Sequence, residues 1–172
     1  MSKYLGTSER QFGFKKGVSC SHAIFSVRKI TEYFVKNGST VNLCSLDLTK
    51  AFDRMNHGIL FNKLMDRNIP KYLVNLLREW YSEVFNAVRW GSEISKFIKL
   101  EAGVRQGGIL SPYLFAVFVD DLLIKLENSK FGCYFKTVCF NSMMYADDLV
   151  LLSISLTHMK KMGYYALKNF ET

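Results

Sequence analysis

The sequence predicts an α+β fold, an antiparallel sheet with helices packed on it, and three observations carry that prediction. Stretches whose apolar residues recur every three or four positions are interleaved with short runs of period two, the mixture expected of helices and strands in one layer structure. Several of the short runs come in pairs joined by turn residues, and hairpins make antiparallel sheets. The 172 residues suit one domain, and a content of 49% hydrophobic and 15% aromatic residues is enough for a buried core and too much for disorder.

Residues 1 to 18 are polar, basic and glycine-containing, with Gln11-Phe12-Gly13-Phe14-Lys15-Lys16-Gly17 as their distinctive run, and read as a loop entering the fold. From Ser21 the positions Ala23, Val27, Ile30 and Phe34 form one helical stripe that ends near Gly38, with His22 at the start as a solvated or capping group. Val41 to Asp47 alternates apolar and polar residues, a strand with Asp47 at its end. Asp53, a few residues on, reads as a helix N-cap or first-turn acid. Ile59 to Arg67 is a short helix, and Pro70 opens a second whose stripe is Leu73, Leu76, Leu77, Trp80 and Tyr81. Asn86 to Leu100, broken by Gly91-Ser92-Glu93, reads as a hairpin whose Arg89, Lys96 and Lys99 are solvated strand charges, with contact to nucleic acid as the alternative.

Glu101-Ala102-Gly103-Val104-Arg105-Gln106-Gly107-Gly108-Ile109-Leu110-Ser111-Pro112 is a glycine-rich loop that allows close backbone approach and presents a cation and an amide. Ser111 as N-cap and Pro112 as first residue lead it into a helix with Leu114, Phe115, Phe118, Leu122 and Leu126 on its apolar face. Asp120-Asp121 on that helix point about 100° apart, so they suit a polar edge better than one shared ion. After a strand-like run from Gly132 to Phe140 comes Met143 to Leu152, two apolar runs flanking Ala146-Asp147-Asp148. The runs are the strands and the acids the turn between them, because Asp favours turns over strand interiors. Met159 to Phe170 is a final helix.

The charge balance, 23 Lys and Arg against 15 Asp and Glu, gives +8 and favours a polyanionic partner. Cys20, Cys44, Cys133 and Cys139 form no Cys-x-x-Cys pair, so neither a disulfide framework nor a zinc site is indicated, and reduced thiols in an intracellular protein are expected. No apolar core of a signal peptide and no run of membrane-spanning length is present, which argues against secretion and membrane insertion.

Two adjacent carboxylates repel unless a cation sits between them. Asp47 and the Asp147-Asp148 pair each end or interrupt a strand, and a sheet of βαββαβ type can bring such strands together. Three acids with no His or Cys among them suit hard cations such as Mg²⁺ or Mn²⁺. Two such ions can activate an attacking hydroxyl and stabilise a leaving oxygen in phosphoryl transfer.

Three runs in series now justify a comparison: Ser45-Leu46-Asp47-Leu48-Thr49-Lys50-Ala51-Phe52-Asp53, then Gly103 to Pro112, then Tyr145-Ala146-Asp147-Asp148. In order and spacing they closely resemble the reverse transcriptase domain of LINE-like, non-LTR retrotransposons. The resemblance runs from about Gln11 to the end, and it is the series, not any single motif, that makes it specific.

The resemblance implies a palm-like polymerase sheet, with residues 1–40 as part of the fingers and 41–172 as the palm. It implies an RNA-directed DNA polymerase acting by attack of a primer 3′-hydroxyl on a nucleotide α-phosphate. Asp47, Asp147 and Asp148 are then catalytic and, with the Leu48 carbonyl, hold two Mg²⁺ or Mn²⁺ ions, Asp47 and Asp147 bridging both. Phe52 is a steric gate against a ribose 2′-hydroxyl, Arg105, Gln106 and Gly107 shape the nucleotide pocket, and Tyr145 lies near the primer terminus. The implied partners are an RNA template, a DNA primer and deoxynucleoside triphosphates, and the implied compartment is the cytoplasm or nucleus. The family's upstream basic fingers strands and downstream thumb have no counterpart among these residues, so a fragment with little or no activity of its own is expected. Two other readings stay open: a catalytically silent nucleic-acid-binding remnant of a decayed element, and a group II intron-type maturase palm.

Overall fold

The computed structural model describes residues 6–105 and 107–170, so Gln106 lies outside the described residues. Its centre is a three-stranded antiparallel sheet, ordered β1 (Asn42–Asp47), β9 (Asp148–Ser153), β8 (Ser142–Tyr145). Leu149 and Leu151 of β9 point to one face, where α5 (Ser111–Asn128) and α6 (Leu156–Phe170) cover them together with α3 (His57–Asp66) and α4 (Lys71–Ser82). Val150 and Leu152 point to the other face, under α1 (Cys20–Lys36). This alternation through one strand is why β9 is apolar at nearly every position: both its faces are covered.

Helix α5 runs through the middle of the larger core. Leu122, Leu123 and Leu126 are fully buried, and burial extends round the helix to Val117, Phe118, Val119 and Asp120. Asp120 is therefore not on a polar edge. It is only 3% exposed, pairs with Arg67 and accepts the Ser8 N–H at 2.6 Å, whereas Asp121 is exposed and pairs with Lys63 at 2.6 Å. The two acids do diverge, as adjacent helical residues must.

Several local expectations shift. α1 begins at Cys20 and ends before Gly38, which takes φ +75°, and the Ser19 N–H donates to His22 Nδ1 at 3.0 Å, the capping role expected of that histidine. Asp53 sits in the last turn of α2 (Thr49–Arg54) and not at a helix start, and Asn56 caps α3 by accepting the Ile59 N–H. In α4 the buried stripe is Val74, Leu77 and Tyr81, while Leu76 and Trp80 face outward. Residues 85 to 99 form a nested hairpin, β2 (Phe85–Asn86) with β5 (Ile98–Lys99) and β3 (Arg89–Trp90) with β4 (Glu93–Ile94), exposed along its length. Cys133 to Phe140 folds as a second small hairpin, β6 (Cys133–Phe135) with β7 (Val138–Phe140). No helix is long and apolar enough to cross a membrane among the described residues.

Candidate active site

The acidic turn is tighter than the sequence suggested. Tyr145 and Asp148 are paired across the β8–β9 hairpin, leaving only Ala146 and Asp147 in the loop, so Asp148 is the first residue of a strand. A hairpin loop of this length requires a positive φ at its first position, and Ala146 supplies it at 55°. Asp147 stays in the turn, half-buried, and its carbonyl accepts the Leu48 N–H at 3.0 Å.

That bond continues the β1–β9 ladder by one step. The register runs from Asn42 opposite Ser153 to Asp47 opposite Asp148, so the two acids face each other on the last rung. Opposed residues of an antiparallel pair project to the same face, which here also carries Tyr145 and Val150. Between this face and α1 lies a groove of about 720 Å³ whose lining includes Tyr145, Asp148 and Ser45. The sheet thus gathers Asp47, Asp147, Asp148 and Leu48 at one end. Among the described residues no three Asp, Glu, His or Cys side chains close into a coordination shell.

Phe52 is placed by α2, which starts directly after Leu48. Its ring stacks on Phe115 of α5 at 3.9 Å and 10°, and makes a T-shaped pair with the Phe14 ring at 6.3 Å and 78°. The glycine-rich loop is fastened to the same helix. Gly103 N–H donates to the Met55 carbonyl at 2.8 Å and Val104 N–H to the Phe52 carbonyl at 2.9 Å. Gly103 takes φ +83°, and a Cβ there would lie 2.7 Å from the carbonyl oxygens of Phe52 and Asp53. The close approach that this glycine permits is therefore to α2.

Further along, the Arg105 carbonyl accepts the Ser111 hydroxyl at 2.5 Å and the Gly108 N–H at 3.0 Å. Ser111 lies inside α5, after the N-cap Leu110, and its hydroxyl ties the loop instead of capping the helix. Tyr81 hydrogen-bonds Ser111 and the Arg105 backbone, and burial pushes its phenol above the ordinary tyrosine range. His57 Nε2 donates to the Gly103 carbonyl at 2.6 Å. Arg105 and Gly107 remain exposed at the end of this anchored loop. Sequence reasoning treated Tyr81 as packing and gave His57 no part; their signal is a polar group on an otherwise apolar helix face.

The segment at Gln11, which the sequence predicts as a loop entering the fold, is pinned to the sheet. It forms a parallel bridge to Met144 at the β8 edge, with Met144 N–H donating to the Arg10 carbonyl at 2.8 Å and Phe12 N–H to the Met144 carbonyl at 2.7 Å. Far from being a loose entry loop, residues 10–12 extend the sheet that carries the acids.

An antiparallel sheet backed by helices, with carboxylates gathered on its hairpin tip, defines the class of α+β palm-bearing folds. Two solved telomerase structures share it: that of Candida albicans in complex with a telomeric RNA fragment, and the apo enzyme of Candida tropicalis. The TM-scores are 0.64 and 0.67 at 13% identity, covering 95% and 94% of this chain and 29% and 34% of theirs. The profile of the family "Reverse transcriptase (RNA-dependent DNA polymerase)" matches residues 3–170, and the chain belongs to that family. Its curated relatives are retrotransposon proteins. The Pol polyprotein of the type-2 element R2DM of Drosophila melanogaster is 31% identical over 84% of this chain, and that of the type-1 element R2 of Popillia japonica 29% over 70%. The polymerase of the mobile element jockey of Drosophila funebris is 30% identical over 84%. The chain spans 14%, 21% and 15% of those three proteins.

Proposed function

We propose that this chain is the palm-centred part of a retrotransposon RNA-directed DNA polymerase, residues 1–40 contributing to the fingers and 41–172 forming the palm. The observation that carries the reading is the last rung of the β1–β9 ladder, where Asp47 faces Asp148 beside the Leu48–Asp147 bond. Family membership supports it.

The donor set is all oxygen, which fits Mg²⁺ or Mn²⁺ and not a soft metal. Asp47, Asp147, Asp148 and the Leu48 carbonyl would hold two such ions, which supply charge neutralisation at phosphate oxygens and activation of a hydroxyl. The chain's own side chains do the rest. Phe52, wedged between Phe14 and Phe115, presents a fixed ring edge that would crowd a ribose 2′-hydroxyl. Arg105, on a loop pinned through its own carbonyl, would meet triphosphate charge, with Gln106 and Gly107 beside it. Tyr145 would support the primer terminus from the face that carries Asp148. The excess of basic residues would hold an RNA template and DNA primer by their phosphates.

Two measurements test the reading. Titration of residues 1–172 with Mn²⁺, followed by electron paramagnetic resonance, is expected to show binding that Asp47→Asn and Asp147→Asn each weaken at least roughly tenfold. Primer extension on poly(rA)/oligo(dT) is expected to give trace synthesis at most, because residues 1–172 span only 15% of the RNA-directed DNA polymerase of jockey that they match. Mn²⁺ binding indifferent to both substitutions, or synthesis that survives Asp147→Asn, would overturn the proposal.

A further inference from the structure

Gln11 is a neutral polar residue only 1% exposed, and its amide is spent on two backbone groups. Its Oε1 accepts the Gly13 N–H at 2.8 Å, and its Nε2 donates to the carbonyl of Ala146 at 3.3 Å. Ala146 is the residue that takes the left-handed conformation in the acidic hairpin, a conformation that strains a residue with a Cβ. A strained loop needs holding, and Gln11 is bonded to that loop's first residue.

Gly13 presses on the same point. A Cβ on it would lie 2.4 Å from the Ala146 nitrogen and 3.0 Å from its Cα, so only glycine admits the contact. The chain then turns through Phe14, at φ 61°, whose ring meets Phe52. Residues 11 to 14 therefore touch both the hairpin that bears Asp147 and Asp148 and the Phe52 ring.

We propose that Gln11 is a positioning residue of the acidic site: through the Ala146 carbonyl, with Gly13 packed behind it, it fixes the hairpin tip that presents Asp147 and Asp148. The inference rests on the polymerase reading for what the acids bind, but the contact itself does not. Without the strap the tip is held by the β1 ladder and the Leu48–Asp147 bond alone, with a strained first residue, and its carboxylates are less firmly fixed relative to Asp47.

The test compares residues 1–172 with two variants. Gln11→Leu removes both bonds, while Gln11→Glu keeps an acceptor for Gly13 and lacks the donor for Ala146. Amide hydrogen exchange, referred to wild type, is expected to speed up roughly tenfold from Tyr145 to Leu149 in both variants, with Leu151 to Ser153 and α5 unchanged. Mn²⁺ affinity is expected to fall roughly tenfold with it, as when a group that orients a ligand is removed. Should Gln11→Leu fail to fold, Gln11→Glu alone decides.

Unchanged exchange at the tip overturns the proposal, and so does a loss of protection spread evenly over the sheet, which marks a merely structural role. A loosened tip with unchanged Mn²⁺ affinity overturns it too, provided Asp47→Asn still weakens binding. If Asp47→Asn itself leaves Mn²⁺ binding unchanged, the ion-site reading falls and the proposal falls with it. The Asp47→Asn arm thus separates the two failures.

Discussion

Asp47 and Asp148 sit directly opposite each other on the last rung of the β1–β9 ladder, two acids of like charge brought together by register. Opposed like charges destabilise a pair by up to about 1 kcal/mol, and a cation bound between them would reverse the sign of that contribution. Asp148→Asn is accordingly expected to stabilise the protein by about 0.5 kcal/mol in the absence of divalent ions, as read from urea denaturation. With Mg²⁺ at a hundred times its dissociation constant, wild type should gain about 2.7 kcal/mol and overtake the variant. A variant that is less stable than wild type in both conditions contradicts the assignment of charge repulsion at this rung.

Gly103 and Gly107 both adopt positive φ, at 83° and 76°, yet their surroundings differ. A Cβ on Gly103 would collide with the Phe52 and Asp53 carbonyls, whereas one on Gly107 would meet nothing within 4 Å. Gly103→Ala is expected to cost more than ~3 kcal/mol, because conformational strain and a backbone collision add. Gly107→Ala should cost only the conformational part, about 1 kcal/mol. Equal losses in denaturant melts would mean that the tie between the glycine-rich loop and α2 contributes little.

Burial pushes the Cys133 thiol up to about 11 from its ordinary 9.0, with Cys139 nearby adding to the shift. The folded state therefore keeps its proton where the unfolded chain gives it up. The stability linked to this group is complete below pH 9 and is lost as the pH rises from 9 toward 11. Denaturation midpoints should fall across that window, and less steeply in Cys133→Ala. At pH 8.5 iodoacetamide should label the exposed Cys20 well before the fully buried Cys133.

Periodicity made α1 legible because it buries one clear stripe, Ala23 and Ile30, and β9 was legible as a short apolar run because both its faces are covered. The acids were legible as a strand end, Asp47, and a turn between strands, Asp147-Asp148, and their convergence followed once β1 and β9 were neighbours. What stayed hidden depends on contacts between distant segments. Nothing local distinguishes Leu76 and Trp80, which face out, from Leu77 and Tyr81, which face in, since all four fit one broad helical arc. Gln11 read as loop because a side chain that satisfies its amide on remote backbone leaves no periodic trace. Asp120 read as a polar edge because a buried charge announces itself only through its partner.

That partner is Arg67, and the pair anchors the upstream end of the segment that leads to Gln11. Asp120 also accepts the Ser8 N–H, while Arg67 Nη1 donates to the Gly6 carbonyl at 2.6 Å. Lys15 reaches back to the Ser8 carbonyl at 2.6 Å, closing the segment on itself. Removing one member of a buried pair leaves the other charge uncompensated, so Asp120→Ala is expected to cost roughly 3–5 kcal/mol. The exposed Asp121→Ala, which breaks only the Lys63 pair, should cost under about 1 kcal/mol. The double variant Asp120→Leu/Arg67→Met should recover much of the loss, since apolar side chains of similar size can replace a buried ion pair. It cannot recover the acceptor for Ser8 or the donor for Gly6. Hydrogen exchange at residues 6 to 10 should therefore stay fast in the double variant even where global stability returns, and slow exchange there would show that the pair does not hold the segment.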